Sequence, residues 1–275
     1  MKISILLCTY NGEKYLKQQL ESLFSQSYND FFLYIHDDGS TDNTLKIISE
    51  FTDEYIGRVF LLFDDIKHRG AAQSFMWLLE HVDSDYYMFC DQDDIWLPNK
   101  IEKSLDKIID SEKKYKGKPV VINTNLKVVD ENLNTINESF WKYCKIDRAL
   151  LTTFDYMCVY NSFTGCTMML NDTAKQIVLP MHPYAVMHDI WIGLKVKAAD
   201  GILVWIDEPT ILYRQHNDNV VGALSVEKKY YLNKILSFRK VVKNNMCLFK
   251  MINTIKRYSM IRFLLYKILY FIKRK

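Results

Sequence analysis

Tyr86-Tyr87-Met88-Phe89-Cys90 is a short aromatic-rich run, and Asp91-Gln92-Asp93-Asp94 follows it without a spacer. The apolar run predicts a buried strand. Three carboxylates at the end of such a strand repel one another and are costly to desolvate. A bound cation relieves both penalties, and an all-oxygen donor set favours magnesium, manganese or calcium over zinc. Open α/β sheets bind ligands at the carboxyl ends of their strands. The pattern therefore reads as a divalent-metal site serving an anionic substrate at the rim of an α/β sheet, with a solvated loop after a strand as the plainer alternative.

The rest of the first half supports that architecture. Strands are predicted at Ile3–Cys8, Phe31–Ile35 and Val59–Phe63, and again at Pro119–Asn123. Helices are predicted over Glu13–Gln26, from Thr44 to Phe51, up to Leu79, and from Lys100 to about Lys114. Alternation of this kind predicts a mostly parallel central sheet with helices on both faces. The first two strands end in the polar turns Thr9-Tyr10-Asn11-Gly12 and Asp37-Asp38-Gly39-Ser40, which a parallel sheet brings to one edge beside Asp91. Neither a P-loop nor a G-x-G-x-x-G is present, so phosphate is not cradled on glycine amides. Residues 126–160 are less regular and rich in aromatics, and are read as acceptor-side. A helix is predicted at His188–Ala199, strands at Ile202–Ile206 and Pro209–Tyr213, and helix beyond Ser225.

The six cysteines form no C-x-x-C pair and lie mostly in apolar runs, which predicts core thiols in a reducing compartment. The opening apolar run is too short for a signal peptide and reads as the first strand.

The net charge of +3 conceals an asymmetry. Residues 228–275 hold fourteen Lys or Arg and no Asp or Glu, so residues 1–227 carry the other 22 basic groups and all 33 acidic ones. Apolar residues recur at helical spacing through the basic segment, but Lys or Arg interrupts every stretch. A spanning helix needs about 20 apolar residues. A basic amphipathic helix instead lies in the interface of an anionic leaflet. Packing on the domain is the competing reading of this tail. Nucleic-acid binding is not expected, because no recognition motif accompanies the charge.

Three segments together resemble family-two glycosyltransferases of the GT-A fold: the strand ending in Thr-Tyr-Asn, the Asp-Asp-Gly-Ser-Thr-Asp turn, and Asp-Gln-Asp-Asp-Ile-Trp. The last of these, with Tyr-Arg-Gln-His-Asn-Asp-Asn-Val-Val-Gly at 213–222, looks most like the rhamnosyltransferase branch that builds bacterial surface polysaccharide. The resemblance implies a catalytic domain over 1–225, with a nucleotide-binding half at 1–125 and an acceptor half at 126–225, followed by the tail at 226–275. It implies donor contacts from Thr9, Tyr10, Asn11, Asp38 and Asp91, with Arg214 on the diphosphate. Asp93, Asp94 and His216 would hold Mn2+ or Mg2+. Asp189 matches the catalytic base, and the usual Glu-Asp pair reads His188-Asp189 here.

The implied reaction is an inverting transfer from a nucleoside-diphosphate sugar, dTDP-rhamnose or a UDP-hexose, to a glycan or lipid-linked acceptor. The expected location is the cytoplasmic, inner face of the cell membrane, and a homodimer through the C-terminal helices is compatible with the sequence. Two other classes stay open on the residues alone. One is a metal-dependent nucleotidyltransferase or phosphohydrolase, and the other a non-catalytic carbohydrate-binding subunit.

Overall fold

A computed structural model describes residues 1–66, 68–161, 163–216 and 238–273. Lys67, the 217–222 part of the late motif, and the proposed boundary at 225/226 lie outside the described residues.

Nine strands form one sheet among the described residues: β1 (Ile3–Thr9), β2 (Phe32–Asp37), β3 (Val59–Leu62), β4 (Tyr86–Cys90), β5 (Ile95–Trp96), β6 (Val120–Val129), β7 (Thr135–Asn137), β8 (Met168–Asn171) and β9 (Ile202–Arg214). Their order is β3-β2-β1-β4-β8-β6-β9-β5, with β7 paired to β6. The α/β expectation holds, and β1 to β4 are all parallel. The second half is mixed: β8 runs antiparallel to β4 and β6, and β5 antiparallel to β9. Parallel neighbours need a crossover connection, usually a helix. The strand–helix alternation that supplies those crossovers ends after β6.

The helices are α1 (Leu16–Phe24), α2 (Thr44–Glu54), α3 (Ala71–His81), α4 (Lys100–Lys114), α5 (Phe140–Tyr143), α6 (Phe154–Val159), α7 (Asp172–Val178), α8 (His188–Ala198), α9 (Phe238–Ile255) and α10 (Met260–Lys273). They cover both faces because the strands alternate between two cores. Ile3, Ile5 and Leu7 of β1, and Met88 and Cys90 of β4, face α1, α2 and α4. Leu6 of β1, and Tyr87 and Phe89 of β4, face α3, α6 and α8. The C-terminal helices belong to this second core through Met251, Ile252, Phe263 and Tyr270. Asp155 of α6 anchors them, accepting from the Tyr258 hydroxyl at 2.6 Å and from Arg262 at 2.7 Å.

Residues predicted as two strands, Ile202–Ile206 and Pro209–Tyr213, form the single strand β9, whose register against β6 shifts around Asn125. The irregular stretch 126–160 contains the end of β6, β7, α5 and α6. Cys90, Cys144, Cys158 and Cys166 are buried, Cys8 and Cys247 are partly so, and none is disulfide-bonded.

Candidate active site

The carboxyl ends of β1, β2 and β4 open into one cleft of about 1270 Å³. Thr9, Tyr10, Asn11, Asp38, Asp91, Asp93, Asp189 and His216 all line it. Eight of the ten residues predicted for the site thus meet in one cavity, although they come from five separate stretches of chain.

The β1–β2 rim is held by a dense polar network. Asp37 accepts from the Thr9 and Ser40 hydroxyls at 2.8 and 2.6 Å and from the Gly39 and Ser40 amides. Asn11 adopts a positive φ of 46°, which its short polar side chain tolerates. Its backbone amide donates to the Ser40 hydroxyl, and its side-chain oxygen accepts from the Thr41 amide. Asp38 is buried and accepts from the Arg69 and Gly70 amides at 2.7 and 2.9 Å, which pins the following loop to the cleft. Tyr10 projects into the opening with its ring edge-on to His68, 5.5 Å between centroids.

Gln92, the amide within the acidic box, clamps the end of β4 to the end of β1. Its Oε1 accepts from the Tyr10 amide at 2.9 Å and its Nε2 donates to the Tyr10 carbonyl at 3.0 Å. A Cβ on Gly12 would come within 2.3 Å of that Oε1, so glycine is what lets the amide seat itself.

The acidic cluster divides into two parts. Asp91 and Asp93 face the cleft. Desolvation and then the Asp93 charge push the Asp91 carboxyl up to about 7. Asp93 Oδ2 lies 2.8 Å from His216 Nε2, and both side chains are largely buried. Asp94 departs from expectation. It is fully buried and does not line the cleft, and its Oδ1 accepts from the Arg214 backbone amide at 3.2 Å. Burial followed by repulsion from Asp93 and Asp91 drives its carboxyl well above the usual range. Its neighbours are the buried Cys166 thiol and the buried Lys100, whose ammonium sits 4.6 Å from the Trp96 ring centroid. Donor atoms of Asp91, Asp94 and Cys166 lie within 4.8 Å of one another. A buried thiol, held protonated by desolvation, is a poor partner for an oxygen-seeking cation. Asp91 and Asp93 offer carboxylate oxygens to the same cleft, the donor type a hard divalent cation takes, while their like charges repel and Asp93 pairs with His216.

Arg214 also departs from expectation. Its guanidinium turns inward and donates to the Asp93 carbonyl, the Glu131 carbonyl and the Gln18 side chain. It is 2% exposed and does not line the cleft, so it shapes the Asp93 loop instead of meeting a diphosphate.

Across the cleft, Asp189 sits in the first turn of α8. Burial raises its carboxyl to about 6. Its Oδ2 accepts from Asn161 Nδ2 at 3.1 Å and its Oδ1 from the Ile190 amide at 2.6 Å. No local sequence pattern marks Asn161 as a site residue, since its partner lies 28 residues along the chain. The His188 ring is buried between Phe75 and Phe89, and desolvation lowers it to about 3. A neutral imidazole packed on aromatic rings is a wall element. Gly165 makes room for it, since a Cβ there would meet His188 Nε2 at 2.3 Å.

This geometry has relatives. The model of the family described as "Glycosyl transferase family 2" matches residues 4–167. The chain is 31% identical over 239 residues to the dTDP-rhamnosyl transferase RfbG of Shigella flexneri, covering 82% of this chain and 76% of that one. It superposes on the crystal structure of S. aureus TarS 1-349 in complex with UDP-GlcNAc with a TM-score of 0.62 at 19% identity, over 100% of this chain and 76% of that one. Against the mannosyltransferase PcManGT of Pyrobaculum calidifontis, solved with GDP-Man and Mn2+, the TM-score is 0.56 at 15% identity, over 83% and 58%. With these carboxylates gathered in one cleft at the sheet edge, the chain belongs to glycosyl transferase family 2.

Proposed function

We propose that this enzyme transfers a sugar with inversion from a nucleoside diphosphate to a hydroxyl of a glycan or lipid-linked acceptor in bacterial surface-polysaccharide synthesis. The observation that carries the reading is the placement of Asp189 across one cleft from Asp91 and Asp93. A single carboxylate facing a metal-suited pair is what a one-step displacement requires. The favoured donor is dTDP-rhamnose, by similarity to the Shigella enzyme, with a UDP-hexose as the second choice. We place the reaction at the inner face of the cell membrane.

Thr9, Tyr10, Asn11 and Asp38 form the nucleotide side of the cleft. Asp91 and Asp93, the latter oriented by His216, would hold Mn2+ or Mg2+. A bound divalent cation supplies Lewis-acid stabilisation of charge on the leaving diphosphate. Asp189 accepts the acceptor hydroxyl proton as that oxygen bonds to the anomeric carbon. The bond from that carbon to the diphosphate oxygen breaks, and the nucleoside diphosphate leaves with the electron pair. Attack from the face opposite the leaving group inverts the centre, and no protein nucleophile is needed.

A donor screen with Mn2+ or Mg2+, reading nucleoside diphosphate release, tests this. Release of pyrophosphate or inorganic phosphate instead would mark a different reaction. Activity surviving both Asp93→Ala and EDTA would remove the metal assignment.

A further inference from the structure

Helix α10 shows two opposed faces. Phe263 and Tyr270 are buried against the domain, with Tyr266 and Leu269 packed beside them. On the other side Ile261, Leu264, Leu265, Ile268 and Ile272 are each between 50% and 81% exposed. These five follow i, i+3, i+4, i+7 and i+11, which places them on one stripe of the helix. Packing on the domain, the competing reading of the tail, thus accounts for one face and leaves the other uncovered by any described residue. An apolar stripe of this size on one helix marks an interaction surface.

Charge selects the occupant. Residues 238–273 contain nine Lys or Arg and no Asp or Glu. Arg262, which also pairs with Asp155, and Lys273 lie toward one side of the stripe and Lys267 toward the other, by helical spacing. At the α9–α10 junction, Arg257, Tyr258, Ser259 and Arg262 line a cleft of about 450 Å³. Apolar side chains bordered by cations match an anionic leaflet, where acyl chains meet phosphate headgroups. The acidic excess in residues 1–227 is repelled by the same leaflet, so the charge asymmetry also orients the molecule. No described helix is long and apolar enough to cross a membrane.

We infer that the outward face of α10 is a docking surface for an anionic lipid bilayer, on which the helix lies in the plane of the headgroups. This rests on the membrane-face location proposed above and adds the surface that performs it. The docked helix is also one layer from the chemistry. Tyr270 stacks on Tyr160 at 4.6 Å, and Tyr160 and Asn161 are cleft-wall residues, Asn161 being the one that holds Asp189.

The test is co-sedimentation of the full chain with vesicles of phosphatidylglycerol and phosphatidylcholine, against vesicles of phosphatidylcholine alone. Expected results are tighter binding to the anionic vesicles, weakening as salt is raised, and a loss of at least about tenfold in the double variant Leu264→Asp, Ile268→Asp. Both positions are half exposed, so the melting curve should be unchanged. If that variant fails to fold, Lys256→Ala, Arg257→Ala serves as the second probe, with a smaller expected loss. Equal binding of the unmodified chain to both vesicle types would overturn the inference. So would a lipid-free dimer that Leu264→Asp, Ile268→Asp converts to monomer while vesicle binding persists, since the stripe would then face a second copy. Transfer to a soluble acceptor without vesicles should be the same in the variant and the unmodified chain. Its absence from both would count against the proposed reaction and not against docking.

Discussion

On the β1–β2–β4 side of the cleft, side chains and backbone amides hold one another through short polar contacts: Asp37 with Thr9 and Ser40, Asp38 with Arg69 and Gly70, Gln92 with Tyr10. On the Asp189 side, the wall is aromatic packing: His188 on Phe75 and Phe89, Tyr160 on Tyr270, and Phe163 against Gly193, where a Cβ would meet the ring at 2.3 Å. In the proposed reaction the first side presents a fixed set of polar groups to a charged, chemically constant nucleotide. The second sets its shape by which side chains fill the layer behind it. The difference suggests that donor recognition is built into the strand ends, while acceptor recognition depends on the C-terminal half.

That contrast can be broken in stages. Asp189→Asn should produce the largest effect, a fall in kcat of about 10²–10⁴-fold. Its melting temperature should stay at or above that of the unmodified enzyme, because burial disfavours the charge being removed. A comparable stability loss would instead make Asp189 structural.

Next in size is pH. A base must be unprotonated to act, and burial raises Asp189 to about 6. Activity should therefore rise with pH through about 6 and fall about tenfold per unit below it. Asn161 donates to the charged form and so holds that value down. In Asn161→Ala the acid limb of kcat/KM should move to higher pH, and an unmoved limb would refute the coupling.

Gly165→Ala forces a Cβ toward the His188 ring, and overpacking of this kind costs typically 1–3 kcal/mol. Thermal melting reads the loss, and an unchanged midpoint would show that the aromatic wall has slack. The smallest effect sharpens the comparison most. Tyr270→Ala, outside the cleft, should raise the acceptor KM a few-fold and leave the donor KM unchanged. An equal rise in both would erase the distinction between the two walls.

The legibility of the sequence followed the same divide. β1, β2, β4 and α4 announce themselves by short-range periodicity, and their polar turns sit where a parallel sheet must present them. Thr9, Asn11, Asp38, Asp91 and Asp93 could be located for that reason. Asp94 and Arg214 carry the right chemistry, but one step along β5 or β9 turns a side chain inward, and no local pattern signals which step is taken. Asn161 and Tyr270 act through partners far along the chain, from stretches with weak periodicity. The reversal of β8 was likewise hidden, since strand direction follows from the connection and not from the strand's own residues.

Between the two cleft-facing aspartates stands Gln92, whose amide completes a small ring of hydrogen bonds with the backbone of Tyr10, just past the neighbouring strand, and fills the space above Gly12. The middle letter of an acidic triplet is commonly treated as a spacer. In this enzyme it works as a latch, so replacing Gln92 alone would loosen the β1 rim even with both aspartates kept.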